Sequence, residues 1–184
     1  VVHDVVSMMT SRNLSMNITV YCGSNPGDKE CFKQAAHRLG NWIGARGDTL
    51  VYGGSSVGLM GVLSKSVLES GGKVIGVEPN FFIEAGVAQH ELTELIVVKT
   101  MNERKAKMIE LGDVFVALPG GVGTLEEISE IMVRVRLNLT PAPCFFLNVD
   151  GFYEPLKALI QEMVDRGFMP GFAWDDYLFP TSVD

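Results

Sequence analysis

The chain has 184 residues, 47% of them hydrophobic and 20% charged, with a formal net charge of −7. This length suits one domain, and the apolar share favours a packed core over disorder. The acidic balance argues against non-specific nucleic-acid binding, and no apolar run is long enough for a membrane-spanning helix, so neither nucleic acid nor membrane is expected as a partner.

Residues 1–16 lack the basic-then-apolar layout of a signal peptide and are expected to form a disordered leader before one domain over 17–184. From there the pattern alternates. "NITVYCGS" predicts a strand and turn, and "KECFKQAAHRLGNWIGARG" a helix with a glycine stop. "DTLVYGGSS" and "GLMGVLSKSVLESGG" repeat that pairing. "KVIGVEP" predicts a third strand closed by Pro79, followed by a long loop to Leu92 whose Phe81, Phe82 and Ile83 suit it to cover a pocket or a partner. "ELIVVKT" predicts a fourth strand, followed by the helix "MNERKAKMIELG". "DVFVALPGG" and "TLEEISEIMVRVRLN" make the fifth strand and its helix, and "PCFFLNVDG" and "YEPLKALIQEMVDRG" the sixth. Short apolar strands between amphipathic helices predict an α/β fold, a doubly wound and mostly parallel sheet in a Rossmann-like three-layer sandwich. Ligands of such folds bind at the carboxyl ends of the strands.

Cys22, Cys31 and Cys144 lack metal-type spacing, and His3, His37 and His90 form no ligand cluster. Free thiols in a reducing, cytoplasmic setting and no metal are expected.

Three turns open on the predicted ligand edge: "CGSNPG" at 22–27, "GGSSVGLMG" at 53–61 and "PGGVGT" at 119–124. Tight βα turns need glycine in any case. Three together on one edge also let backbone and helix N-termini approach an anion. None carries the P-loop lysine or the dinucleotide fingerprint, which leaves a monophosphate as the ligand that fits. In the third turn, Thr124 is a candidate N-cap and phosphate hydroxyl donor, with Glu126 and Glu127 in the first helical turn. Leu125, Ile128, Met132 and Val135 predict the buried stripe, and Glu127, Glu130 and Arg134 a neighbouring one. First-turn acids commonly just complement the helix dipole. Arg104, one turn into its helix with Lys105 beside it, is suited to a phosphate or carboxylate. Strands four and five are consecutive, so an Arg104–Glu127 pair at the mouth of a phosphate site is feasible.

These residues resemble the LONELY GUY family, the cytokinin riboside 5'-monophosphate phosphoribohydrolases, often mislabelled as lysine decarboxylases. "PGGVGTLEE" matches the family's PGGxGTxxE motif and "MNERKAKM" its M-x-x-R-K-x-x-M element, while "CGSNPG", "YGGSSVGLMG" and "LNVDGFYEPL" continue the likeness. The resemblance implies a Rossmann-like homodimer or assembly of dimers, with "IMVRVRLNLTPAP" a candidate interface. It implies hydrolysis of the N-glycosidic bond between an N6-modified adenine and ribose 5-phosphate, without cofactor, and AMP is added here as a further candidate substrate. Arg104 and Glu127 become the catalytic pair. Ser24, Gly54, Ser55, Glu84, Met101, Lys105, Gly120, Gly121, Val122, Gly123, Thr124 and Glu126 become the substrate- and phosphate-binding set. Glu127 either stabilises positive charge on the sugar or acts as base toward water, and Arg104 either orients Glu127 or binds the phosphate.

The chain departs from the family pattern at Asn102, Ser55, Glu78 in "GVEP", and Gly86, with Glu84 the nearest acid to a substrate-contacting glutamate of other members. These changes touch the base and sugar pocket more than the phosphate site. The alternative function is a non-catalytic nucleotide- or cofactor-binding carrier on the same fold. A pyridoxal-dependent decarboxylase would need a desolvated lysine, and Lys105 is a poor candidate.

Overall fold

The computed structural model describes residues 15–86, 88–89, 91–140, 142–171 and 177–183. The expected leader, apart from its last two residues, lies outside them, as do His3 and His90. Among the described residues, the strands are β1 (Asn17–Tyr21), β2 (Thr49–Tyr52), β3 (Lys73–Pro79), β4 (Glu94–Val98), β5 (Val114–Ala117), β6 (Cys144–Phe146) and β7 (Tyr177–Leu178). The helices are α1 (Glu30–Ala45), α2 (Gly58–Glu69), α3 (Asn80–Glu84), α4 (Met101–Leu111), α5 (Val122–Arg136) and α6 (Glu154–Asp165).

The strands pair in parallel as one sheet, in the order β4-β3-β2-β1-β5-β6-β7. The chain winds outward from β1 to β4, then returns to lay β5 beside β1 at Ile18↔Val114. That reversal is the topological switch point, where the loops after β1 and β5 part and leave a crevice. Alternating strand residues feed two cores. On one face Ile18, Val20, Leu50 and Val74 meet Phe32, Leu39 and Ile43 of α1 and Leu59, Leu63 and Val67 of α2. On the other, Val51, Val77, Phe115 and Phe146 meet Met108 of α4, Ile128 and Ile131 of α5 and Ile160 of α6. Full burial of each of these large side chains contributes about 1.5–3 kcal/mol. No helix among the described residues is long and apolar enough to cross a membrane.

The expected doubly wound, three-layer fold is therefore present, with local differences. β7 pairs only Cys144↔Tyr177 and Phe145↔Leu178, too short to leave a periodic signal. The expected loop after Pro79 contains α3, and its return is tied to the β2 turn by Gln89 N–H donating to Gly54 O at 2.8 Å. Helix α5 begins at Val122, with extended Gly121 as N-cap. Thr124 is thus not the cap but the third residue of the helix, and Glu126 and Glu127 fall beyond the first turn. Leu125 is exposed, and the buried face runs Thr124–Ile128–Ile131 instead. The candidate interface segment leaves Val133, Leu137 and Leu139 exposed, while Arg134 pairs with Glu130 of its own helix at 3.2 Å.

Candidate active site

A cavity of about 580 Å³ lies at the carboxyl ends of the strands. Its floor is Tyr21 at the end of β1, Cys22 just after it and Gly53 after β2; one wall is the N-cap Gly121 with Val122, Gly123, Thr124, Glu126 and Glu127 of α5. The opposite side holds Glu78 with Phe82 and Ala85 of the α3 segment.

The α5 wall is fixed from beneath. Tyr153 Oη donates to Leu118 O at 2.7 Å, and Gly23 N–H donates to Pro119 O at 3.1 Å, binding the β1 and β5 turns together. "LNVDGFYEPL" thus serves as support: Asn148 Oδ1 accepts from Tyr153 N–H at 2.7 Å and orients that tyrosine's backbone. A Cβ on Gly120 would stand 2.2 Å from Thr124 Oγ1, so only glycine admits this packing. No side chain caps α5. Its first backbone N–H groups, at Val122, Gly123 and Thr124, have no intrahelical acceptors and face a site suited to an anion.

Helix α4 is set by reciprocal capping: Thr100 Oγ1 accepts from Glu103 N–H at 3.1 Å, and Glu103 Oε2 accepts from Lys99 N–H at 2.8 Å. The next residue, Arg104, turns inward and is 8% exposed. Its Nε donates to Val77 O at 3.0 Å and its Nη2 to Gly53 O at 2.9 Å. Its Nη1 stands 3.6 Å from Glu127 Oε1, so the expected pair forms. Consecutive strands are not the reason, because β4 and β5 are separated by β3, β2 and β1. The pair forms because α4 crosses back over the sheet toward α5.

Burial pushes the Glu127 carboxyl up to about 6, against the opposing pull of Arg104. It remains largely ionised at neutral pH, facing a guanidinium locked by two backbone carbonyls. Burial, then Glu127, pushes the Cys22 thiol up, so it stays neutral and is no nucleophile. The same causes raise the Tyr21 phenol.

Ser24, Ser55, Met101, Gly121, Val122, Gly123, Thr124 and Glu126 line the same cavity as Arg104 and Glu127. Gly120 lines an adjoining cleft of about 250 Å³ that shares Ser24 and Gly121 with it. Gly54 packs behind, against Glu78. Two expected residues are not brought in. Exposed Glu84 bonds Asn80 on α3, and Lys105 pairs with Glu126 and, at 3.5 Å, with Glu130. The Glu126 hydrogen bond raises the Lys105 pKa, which keeps the ammonium charged and unsuited to Schiff-base chemistry. The sequence reading passes over Tyr21 as a site residue and holds Gly53 and Met60 only as part of the turn at 53–61; Phe82, expected in a loop over a pocket or a partner, does line the cavity. Their signal was positional: Tyr21 ends β1, Gly53 follows β2, Met60 lies in the first turn of α2 and Phe82 in the apolar segment after β3. No group of three or more His, Cys, Asp or Glu among the described residues could hold a metal ion.

Comparison with known proteins agrees with this geometry. The family described as "possible lysine decarboxylase" matches residues 60–177. A Rhodococcoides fascians protein named cytokinin riboside 5'-monophosphate phosphoribohydrolase is 45% identical over 160 residues, covering 86% of this chain and 81% of that protein. A protein of Oryza sativa subsp. japonica named probable cytokinin riboside 5'-monophosphate phosphoribohydrolase is 45% identical over 152 residues, covering 83% of this chain but 62% of its own length. The solved molybdenum cofactor binding protein of Rippkaea orientalis superposes with a TM-score of 0.66 at 22% identity, over 92% of this chain and 91% of that one, a likeness of fold alone. The chain belongs to the LONELY GUY family, to which its phosphoribohydrolase-named relatives and its paired Arg104 and Glu127 motifs both assign it.

Proposed function

We propose that the chain hydrolyses the N-glycosidic bond of cytokinin riboside 5'-monophosphates, and of AMP, releasing free base and ribose 5-phosphate. The observation that carries this reading is the Arg104–Glu127 pair, held at 3.6 Å on the wall of a cavity that also receives the uncapped start of α5. The N-terminal N–H groups of α5, with Thr124, hold the 5'-phosphate. Binding energy from that remote group positions the sugar. As the C1'–N bond breaks, positive charge builds on the sugar, and ionised Glu127 stabilises it. Water attacks C1', Glu127 takes its proton, and that proton passes through solvent to the ring nitrogen of the departing base, which leaves neutral. Arg104 orients Glu127 and keeps its charge tolerable in a buried wall. No bound cofactor takes part.

The test is release of free base from isopentenyladenosine monophosphate and AMP, with the matching nucleosides run alongside. Release from nucleotides, lost in Glu127→Ala, is expected. No base from either nucleotide, with the variant indistinguishable from wild type, would overturn the reading. The carrier alternative gains nothing specific here, since likeness at 22% identity reaches only the fold. The same reading takes residues 17–184 as one cytoplasmic hydrolase domain that pairs as a homodimer through exposed Val133, Leu137 and Leu139. Light scattering checks the pairing, and a Leu137→Glu variant that still forms the dimer would count against that face.

A further inference from the structure

Glu78 is a buried acid of the cavity that the proposed reaction does not use. It sits near the end of β3, 1% exposed, and its Oε2 has no hydrogen-bond partner. Buried polar atoms without partners are rare in folded proteins and costly, so such an atom calls for a reason. Arg104 does not relieve it, since that guanidinium donates to Val77 O and Gly53 O and faces Glu127. The backbone confines the carboxyl instead: a Cβ on Gly54 would lie 3.1 Å from Glu78 Oε2.

The position of Glu78 says what it meets. In the order β3-β2-β1-β5, the ends of β3 and β5 are three strand spacings apart, about 14 Å. A ligand phosphate on α5, with its sugar at Glu127, therefore extends its base toward β3. Val57, Met60, Phe82, Ala85 and Met101 line the same cavity, with Ser24, Ser55 and Arg104 among its polar groups outside α5, so Glu78 is a carboxyl in a largely apolar setting.

Resting on the hydrolase reading, we infer that Glu78 is a specificity-determining residue whose carboxyl selects an N6 substituent ending in a hydroxyl over one that is wholly hydrocarbon. A hydroxyl reaching the carboxyl gives that group a partner it lacks in the fold alone, whereas a methyl group there gives it none. Burial pushes the carboxyl above its ordinary range, against the pull of Arg104. In either protonation state the carboxyl offers a hydroxyl an acceptor, and the protonated form donates as well.

The experiment compares two adenosine 5'-monophosphates with the same five-carbon N6 substituent, with and without a terminal hydroxyl. Dissociation constants are read by calorimetry on wild type, Glu78→Gln and Glu78→Ile, each carrying Glu127→Gln so that the nucleotide survives the titration, and base release is followed in parallel on the forms that keep Glu127. Wild type is expected to bind the hydroxylated nucleotide about tenfold more tightly. Glu78→Gln, which still donates and accepts, keeps that preference, and Glu78→Ile reverses it. If the isoleucine variant does not fold, Glu78→Ala is expected to lose the preference. Equal affinities in wild type, an unchanged ratio in the apolar variant, or no binding of either nucleotide overturns the assignment. Selective binding without base release would uphold it while overturning the hydrolase reading.

Discussion

Replacing Glu127 by glutamine separates what the acid costs the fold from what it does for the reaction. Burial holds its carboxyl at about 6 rather than 4.5, a difference equivalent to about 2 kcal/mol. The folded-state value is raised, so the folded chain prefers the protonated form. Below the unfolded value of 4.5 the group is protonated in both states and carries no penalty. Its contribution to stability is lost as pH rises through about 6, where both states ionise and the folded state bears the whole cost. Glutamine never ionises, and Arg104 keeps its bonds to Val77 O and Gly53 O. Glu127→Gln is therefore expected to match wild type near about pH 4 and to exceed it by about 2 kcal/mol near about pH 8. Urea unfolding of both proteins at the two pH values measures this, and their difference cancels the titration of shared groups. Activity moves the other way: the variant loses roughly a hundredfold to ten-thousandfold in kcat. In wild type, kcat/KM falls as pH drops below about 6. A glutamine variant less stable than wild type near about pH 8, or a gap that ignores pH, would refute the reasoning.

Three further outcomes follow from the same geometry. In Gly53→Ala the new methyl would lie 1.8 Å from Arg104 Nη2, so the guanidinium must leave; kcat should fall about a hundredfold, and wild-type kcat would contradict the placement. A Cβ on Gly123 meets nothing within 4 Å, so Gly123→Ala should raise stability by about 0.5–1 kcal/mol while raising KM for the nucleotide. Unchanged KM would argue against phosphate at that turn. Glu126→Gln leaves Lys105 paired with Glu130 alone, with a stability change of under about 1 kcal/mol and kcat within a few-fold of wild type. A collapse of kcat there would reassign the catalytic acid.

Much of this was legible in the chain. Strand β2 (Thr49–Tyr52) and helix α1 (Glu30–Ala45) follow from apolar runs and helical periodicity, because burial on two faces or one stripe demands those patterns. The paired motifs around Arg104 and Glu127 named the two side chains that meet. The start of α5 was misread because a threonine is a good cap in isolation, whereas here its hydroxyl is packed over Gly120 and extended Gly121 takes the cap position. β7 escaped because two residues carry no period, and their strand state comes only from pairing with β6. Glu84 was favoured as the loop acid by counting along the chain; α3 turns it outward to Asn80.

The sequence by itself determined the order of β1 to β6 and of the five long helices, the edge of the sheet on which the glycine turns open and the residue types of the turn before α5. Each is set by local periodicity or by backbone chemistry within a few residues. Only the tertiary structure decided that Arg104 crosses from α4 to Glu127, that Gly53 must lack a side chain to let it pass, and that Glu78 is buried without a partner. Those facts depend on which strands become neighbours, and the return from β4 to β5 across the sheet brings together residues that no local pattern links.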